Sequence, residues 1–142
     1  MNFNAGSIIL IKNYPLRSKI KDKFFIVLHK DENEINLLSM TTSQIYFNST
    51  VKHGLIKEGD ASFYCFGNNK TIGQNGFCFK KDTIVSNRMN IHQFANERLS
   101  QYDIEYKDCL KKEELINLIY SFYQYKGVAK KHKKTFGLNG QN

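Results

Sequence analysis

Two apolar runs separated by four polar residues constrain this chain more than anything else in it. Lys23-Phe24-Phe25-Ile26-Val27-Leu28-His29 comes first. Asp31-Glu32-Asn33-Glu34 interrupts it, and Ile35-Asn36-Leu37-Leu38-Ser39-Met40 resumes before ending in Thr41-Thr42-Ser43-Gln44. Each run is short, rich in aromatic and branched side chains, and bounded by turn residues, so the pair reads as two buried strands of a hairpin. The first strand opens on a lysine and the second closes on hydroxyls. A hairpin brings those two ends together, and any chemistry it carries belongs where they meet.

The flanking sequence extends the pattern. Gly6-Ser7 opens a strand, Ile8 to Ile11. Lys12 to Lys23 then forms a loop holding Arg17, Lys19, Lys21 and the only proline, Pro15; it is either a solvated loop or a flap that grips phosphate. Ile45-Tyr46-Phe47 is a short apolar segment, and Val51 to Asp60 reads as turns. Ala61 to Phe66, Phe77 to Phe79 and Thr83 to Val85 supply strand material, with turns at Gly67 to Lys70 and Gln74-Asn75-Gly76. Short strands punctuated in this way predict a small barrel or sandwich over residues 1–88.

The period then changes. Asn90 can N-cap a helix, with Gln93 completing a capping box, and Ile91, Phe94, Ala95, Leu99 and Tyr102 follow helical spacing. Tyr102 to Lys107 alternates as one more strand would. Asp108 is placed to N-cap a second helix, whose stripe Leu115, Leu118, Ile119 and Phe122 faces the core and ends near Tyr125. The expectation is a single domain over 1–142: the barrel, a helical C-terminal part at 89–126, and a basic tail at 127–142 around Lys130-Lys131-His132-Lys133-Lys134.

The chain carries 21 Lys+Arg against 13 Asp+Glu, a net charge of +8. That excess suits an anionic partner, nucleic acid before a membrane surface, although lysine-rich surfaces also serve solubility. Cys65, Cys78 and Cys109 form no C-x-x-C pair; Cys65 and Cys78, inside aromatic runs, read as small buried apolar residues, and reduced thiols imply a cytosolic protein. No stretch has the length of a membrane span, and the N-terminal apolar run is too short for a signal peptide. His29, His53, His92 and His132 lack metal-ligand spacing, and no phosphate-cradling or dinucleotide glycine motif is present, so neither metal nor cofactor is expected. Thr41-Thr42-Ser43-Gln44 has two readings: a local turn capping its strand, or hydroxyls at a barrel rim that donate to an anionic oxygen.

The order Gly-x-Ile-Ile, charged loop, basic residue plus aliphatic strand, turn, and aliphatic strand ending in Thr-x-Gln resembles the MazF/PemK (Kid) family of toxin ribonucleases. The family's Arg-Pro before its second strand corresponds to Lys23-Phe24, and its Thr-x-Gln to Thr42-Ser43-Gln44. The lysine, and the Thr-Ser pair ending the next strand, look more like the related ToxN/AbiQ branch. The resemblance covers residues 6 to 47 in detail. It implies a mainly β (α+β) fold, a small SH3-like, partly open antiparallel β-barrel with C-terminal helices, and it implies Lys23, Thr42 and Ser43 as active-site residues.

The chemistry of such an enzyme follows from RNA itself, whose 2′-OH can attack the adjacent phosphate without metal or cofactor. Lys23 would serve as a cation beside the developing oxyanion, because an ordinary lysine, with a pKa of about 10.4, is a poor base at neutral pH. Thr42 and Ser43 would donate to nonbridging oxygens, and Gln44 would hold one of these or a base edge. His53 and Tyr46 are the candidates for carrying a proton. Arg17, Lys19 and Lys21 would grip the RNA backbone, and Tyr14, Tyr46 and Phe47 would either stack unpaired bases or pack in the core. The implied function is a metal-independent, sequence-specific endoribonuclease toxin. Its implied partners are single-stranded RNA, a protein or RNA antitoxin, and a second copy in a homodimer, with no membrane. The alternative is a non-catalytic RNA-binding or protein-binding module on the same barrel.

Overall fold

The computed structural model describes residues 3–45 and 51–124, together with residues 132 and 135. Along them run β1 (Ser7–Pro15), β2 (Ile20–Lys30), β3 (Ile35–Met40), β4 (Gly54–Glu58), β5 (Ala61–Phe66), β6 (Thr83–Ser86), β7 (His92–Ala95), α1 (Asn96–Leu99), β8 (Asp103–Cys109) and α2 (Lys112–Gln124). The chain is mainly β, as expected, and ends its described part on a helix. Every strand pair is antiparallel. One sheet has the order β7-β3-β2-β1-β8 and the other β4-β5-β6; among the described residues they do not close into a barrel.

The hairpin expected from Lys23 to Gln44 supplies the central strand, β2, and its neighbour β3. Alternate side chains of β2 enter different cores, which is why its apolar run is continuous. Ile26 and Leu28 pack with Tyr64 and Phe66 of β5 and with Leu118 and Phe122 of α2. Phe25 and Val27 pack with Ile9, Ile11, Leu38, Phe94 and Leu99 on the opposite face. Fully burying each such side chain stabilises the fold by roughly 1.5–3 kcal/mol. Asp31 makes the intervening turn: its Oδ1 accepts from the N–H groups of Asn33 (2.9 Å) and Ile35 (3.0 Å).

Several elements differ from the sequence reading. The expected basic loop is instead an arm of the β1–β2 hairpin, paired out to Pro15 and Ile20 and closed by Leu16 N–H donating to Lys19 O (2.7 Å). Ladder pairing uses backbone groups, so charged side chains do not prevent it. A bulge lies between Ile11 and Tyr14, where Asn13 takes φ +54° and its N–H donates to Asp22 Oδ1 (2.9 Å). Within the expected turn region, Gly54–Glu58 forms β4, while Phe77 to Phe79 joins no ladder. The helix expected from Asn90 is reduced to Asn96–Leu99. His92–Ala95 pairs with β3, where buried Asn36 donates from Nδ2 to Phe94 O (3.0 Å) and Asn96 Oδ1 (2.8 Å). Asn90 is no N-cap; it brackets Met40, accepting from its N–H (3.0 Å) and donating to its carbonyl (2.9 Å). The expected strand after Tyr102 is present as β8. Thus one outer strand of the five-stranded sheet, β7, comes from a stretch read as helical, and the other, β8, from the stretch read as a strand. On α2 the expected stripe holds, with Leu118 and Phe122 fully buried and Leu115 against the same cluster. Tyr46, Phe47 and nearly all of the basic tail lie outside the described residues. No helix among those described is long and apolar enough to cross a membrane.

Candidate active site

The two ends of the hairpin do meet. β2 and β3 pair Ile26 with Ser39 and Phe25 with Met40. One step further, Thr41 donates twice to the carbonyl of Phe24, from N–H (3.0 Å) and from Oγ1 (3.1 Å). Continuing that register sets Thr42 across from Lys23, and directly opposed residues have Cβ atoms about 4.5–5.5 Å apart. The backbone of Thr42 then exchanges hydrogen bonds with Ile84 of β6, Thr42 N to Ile84 O (2.9 Å) and Ile84 N to Thr42 O (2.8 Å). The hydroxyl cluster therefore sits at the junction of the two sheets, fixed from both sides.

A cavity of about 520 Å³ opens at this junction. Lys23, Phe24, Thr42 and Ser43 form one wall, and residues 77–81 form the other. Lys107 of β8 also lines it. Five lysines contribute (Lys21, Lys23, Lys80, Lys81 and Lys107) against one carboxylate, Asp22. Lys107 is held by Glu105 at 2.6 Å. The other four make no ion pair among the described residues. Burial lowers the pKa of the Lys23 ammonium below the ordinary lysine value, and the charges of Lys21 and Lys19 add to the effect. Lys19, Lys21 and Lys23 occupy alternate positions of one strand or its edge, so they form a row of cations at steps of about 7 Å.

The hydroxyl cluster fulfils its first reading, and the second remains open beside it. Thr42 Oγ1 accepts from Gln44 N–H (3.1 Å), a local turn. An accepting hydroxyl still has its own hydrogen, so donation toward the cavity stays available. Ser43 lines the cavity and is exposed; Gln44 is exposed just beyond it. Arg17 and Lys19 lie exposed near the tip of the arm.

Two expected residues sit elsewhere. Tyr14 packs half-buried against Phe25 (ring centroids 5.0 Å) and Tyr102 (5.7 Å), and burial raises the pKa of its phenol. His53 does not line the cavity. Its Nδ1 accepts from Gly67 N–H (3.0 Å), so the neutral ring carries its proton on Nε2, which faces Glu114 Oε1 at 2.7 Å. Tyr64 donates to the other Glu114 oxygen (2.7 Å); burial, then Glu114, pushes the pKa of its phenol well above the ordinary range.

The sequence reading missed the second wall. Lys80-Lys81 follows the Phe-Cys-Phe run directly and carried a signal; Lys107 carried none. Cys78, read as buried, is half-buried and lines the cavity. Asp108 holds this wall in place. It is buried and is not a helix cap; its carboxylate accepts from the N–H groups of Phe77 (3.0 Å), Asn75 (3.0 Å) and Cys109 (2.7 Å). Burial pushes the pKa of this carboxyl up, but the hydrogen bonds outweigh burial and hold it below the usual value. The fit requires Gly73, because a Cβ there would stand 2.1 Å from Asp108 Oδ2.

No cluster of His, Cys, Asp or Glu that would hold a metal ion is present among the described residues. A scan against protein-family models matches none, and a search of curated proteins finds no match either.

Proposed function

We propose that the chain is a metal-independent, sequence-specific endoribonuclease that cuts single-stranded RNA, and that it is the toxin of a toxin–antitoxin pair. One observation carries this reading: Lys23 and Thr42, the positions to which the resemblance assigns the catalytic roles, line one lysine-walled cavity. In the reaction the 2′-oxygen bonds to phosphorus and the P–O5′ bond breaks, leaving a 2′,3′-cyclic phosphate and a 5′-hydroxyl. The Lys23 ammonium offsets charge on the phosphorane, and its lowered pKa makes it a better acid toward the departing 5′-oxygen. The proton of the 2′-OH leaves to solvent. Thr42 and Ser43 donate to nonbridging oxygens, while Lys21, Lys19 and Arg17 track the strand beyond the cut. The same reading makes the two sheets a partly open, SH3-like barrel and the protein cytosolic, restrained by a protein or RNA antitoxin and active as a homodimer.

The test is cleavage of single-stranded RNA by purified protein in EDTA, with the product ends identified. The expected result is cyclic phosphate termini, lost in Lys23→Ala and in Thr42→Ala while both variants stay folded. Cleavage that survives both substitutions removes the site. Activity should also fall as pH rises through the lowered Lys23 pKa, earlier than for an ordinary lysine, because the ammonium is the working form.

A non-catalytic RNA-binding module is the second reading. It is favoured by the bond that Thr42 Oγ1 already makes to Gln44 and by the position of His53 outside the cavity. Salt-sensitive RNA binding without any product would select it.

A further inference from the structure

The cavity has an apolar floor that phosphate chemistry alone does not need. Phe24, Phe77 and Phe79 meet edge to face in a closed triad, with ring centroids 5.8 Å, 5.3 Å and 5.1 Å apart. Phe24 and Phe77 are only half-buried, and both line the cavity. Directly after the triad, Lys80 and Lys81 stand exposed on the same rim, without ion pairs among the described residues. Flat apolar surface next to unpaired cations complements a ligand with an aromatic body and an anionic group. The volume, about 520 Å³, is that of a small-ligand site.

We infer that this cavity seats one unstacked nucleotide of the RNA, its base against Phe24 and Phe77 and its phosphate held by Lys80 and Lys81. Seating of this kind deepens the nuclease reading and rests on it for the identity of the ligand. It adds a base-dependent subsite to the cation-and-hydroxyl pair at Lys23 and Thr42, and so a source of cleavage preference. Asp108 is a positioning residue for this subsite: it touches no ligand and acts by fixing the backbone of Phe77.

The experiment is calorimetric titration of the full chain with adenosine 5′-monophosphate, uridine 5′-monophosphate and ribose 5-phosphate, none of which contains a bond the proposed reaction would cut. At least one of the two nucleotides should bind about tenfold more tightly than ribose 5-phosphate, the contribution expected of one stacked base. Phe77→Leu, which keeps apolar bulk but removes the ring, should abolish that difference and leave ribose 5-phosphate binding intact. Lys80→Ala with Lys81→Ala should weaken all three ligands in parallel and flatten their salt dependence. The inference is overturned if neither nucleotide binds measurably, if both bind no better than ribose 5-phosphate, or if Phe77→Leu leaves the difference in place. Base-dependent binding in a protein that cuts no RNA keeps the subsite and discards the nuclease. RNA cleavage without base-dependent binding does the reverse.

Discussion

Two polar clusters in this molecule look alike in composition and differ in how their bonds are used. His53, Glu114 and Tyr64 form a tight set linking α2 to the three-stranded sheet. Both carboxylate oxygens of Glu114 accept, both His53 nitrogens are engaged, and the Tyr64 hydroxyl is spent. At the other cluster, Lys23, Thr42 and Ser43 line one cavity, the Lys23 ammonium without an ion pair among the described residues and its pKa lowered by burial and by neighbouring cations. The first cluster contains the residue types usually sought for proton transfer, yet its bonding capacity is used internally, as a structural latch requires. The second keeps unspent donors and positive charge where a ligand can reach them. Residue type alone does not separate the two; bond saturation does.

The comparison breaks most visibly through catalysis. Lys23→Ala should lower RNA cleavage by about 10²–10³-fold, the usual loss when one preorganised group that stabilises transition-state charge is removed. His53→Gln should leave the rate per folded molecule unchanged. A fully folded His53→Gln protein that no longer cuts would place the working proton carrier in the saturated cluster.

The next effects are on stability. Asp108→Ala leaves the N–H groups of Asn75, Phe77 and Cys109 without their acceptor in a part-buried place, at a cost of about 1 kcal/mol for each group that water does not reach. It should shift the urea midpoint more than any other single change proposed and weaken nucleotide binding in whatever remains folded. Glu114→Ala orphans the Tyr64 hydroxyl and the His53 Nε2 proton together; about 2 kcal/mol is expected, with cleavage per folded molecule retained. Loss of cleavage at unchanged stability would contradict the assignment of that cluster as a latch.

These two clusters also mark how far the sequence could be read. That Lys23 and Thr42 come to one cavity was legible because they bound the two apolar runs of one hairpin; the bulge between Val27 and His29, which shifts the pairing by one residue, was not. The wall that completes the cavity was not. Phe77, Lys80 and Lys81 lie in a segment without ladder pairing, held by Asp108 more than two dozen residues later, and no local pattern reports such a pairing. Asp108 even imitated a helix cap, since it stands just ahead of α2. The helical spacing from Ile91 to Tyr102 misled for a related reason: β3 has an edge to fill, and buried Asn36 draws Phe94 onto it as a strand before one turn of helix forms at Asn96. The apolar stripe of α2 was legible because thirteen consecutive residues present one face to a single core.

The smallest expected effect tests the unsatisfied cluster directly. Lys23 has a lower pKa in the folded chain than in the unfolded one. Below the folded value both states carry the charge, and the native state bears the cost of half-burying it beside Lys21 and Lys19. Between the folded value and an ordinary lysine's, about 10.4, the unfolded chain binds a proton that the native chain does not, so wild-type stability rises with pH across that window. Lys23→Met removes the charge and keeps most of the stem. At neutral pH it should therefore be more stable than wild type, by at most about 1 kcal/mol because water still reaches the ammonium. The advantage should shrink as pH climbs through the lowered pKa, and urea midpoints at neutral and alkaline pH measure it. If Lys23→Met is instead less stable at neutral pH, the ammonium is held by an attraction, and the cavity resembles the latch after all. A variant that gains stability while losing cleavage keeps the two clusters apart, one built to hold the fold together and the other held against it.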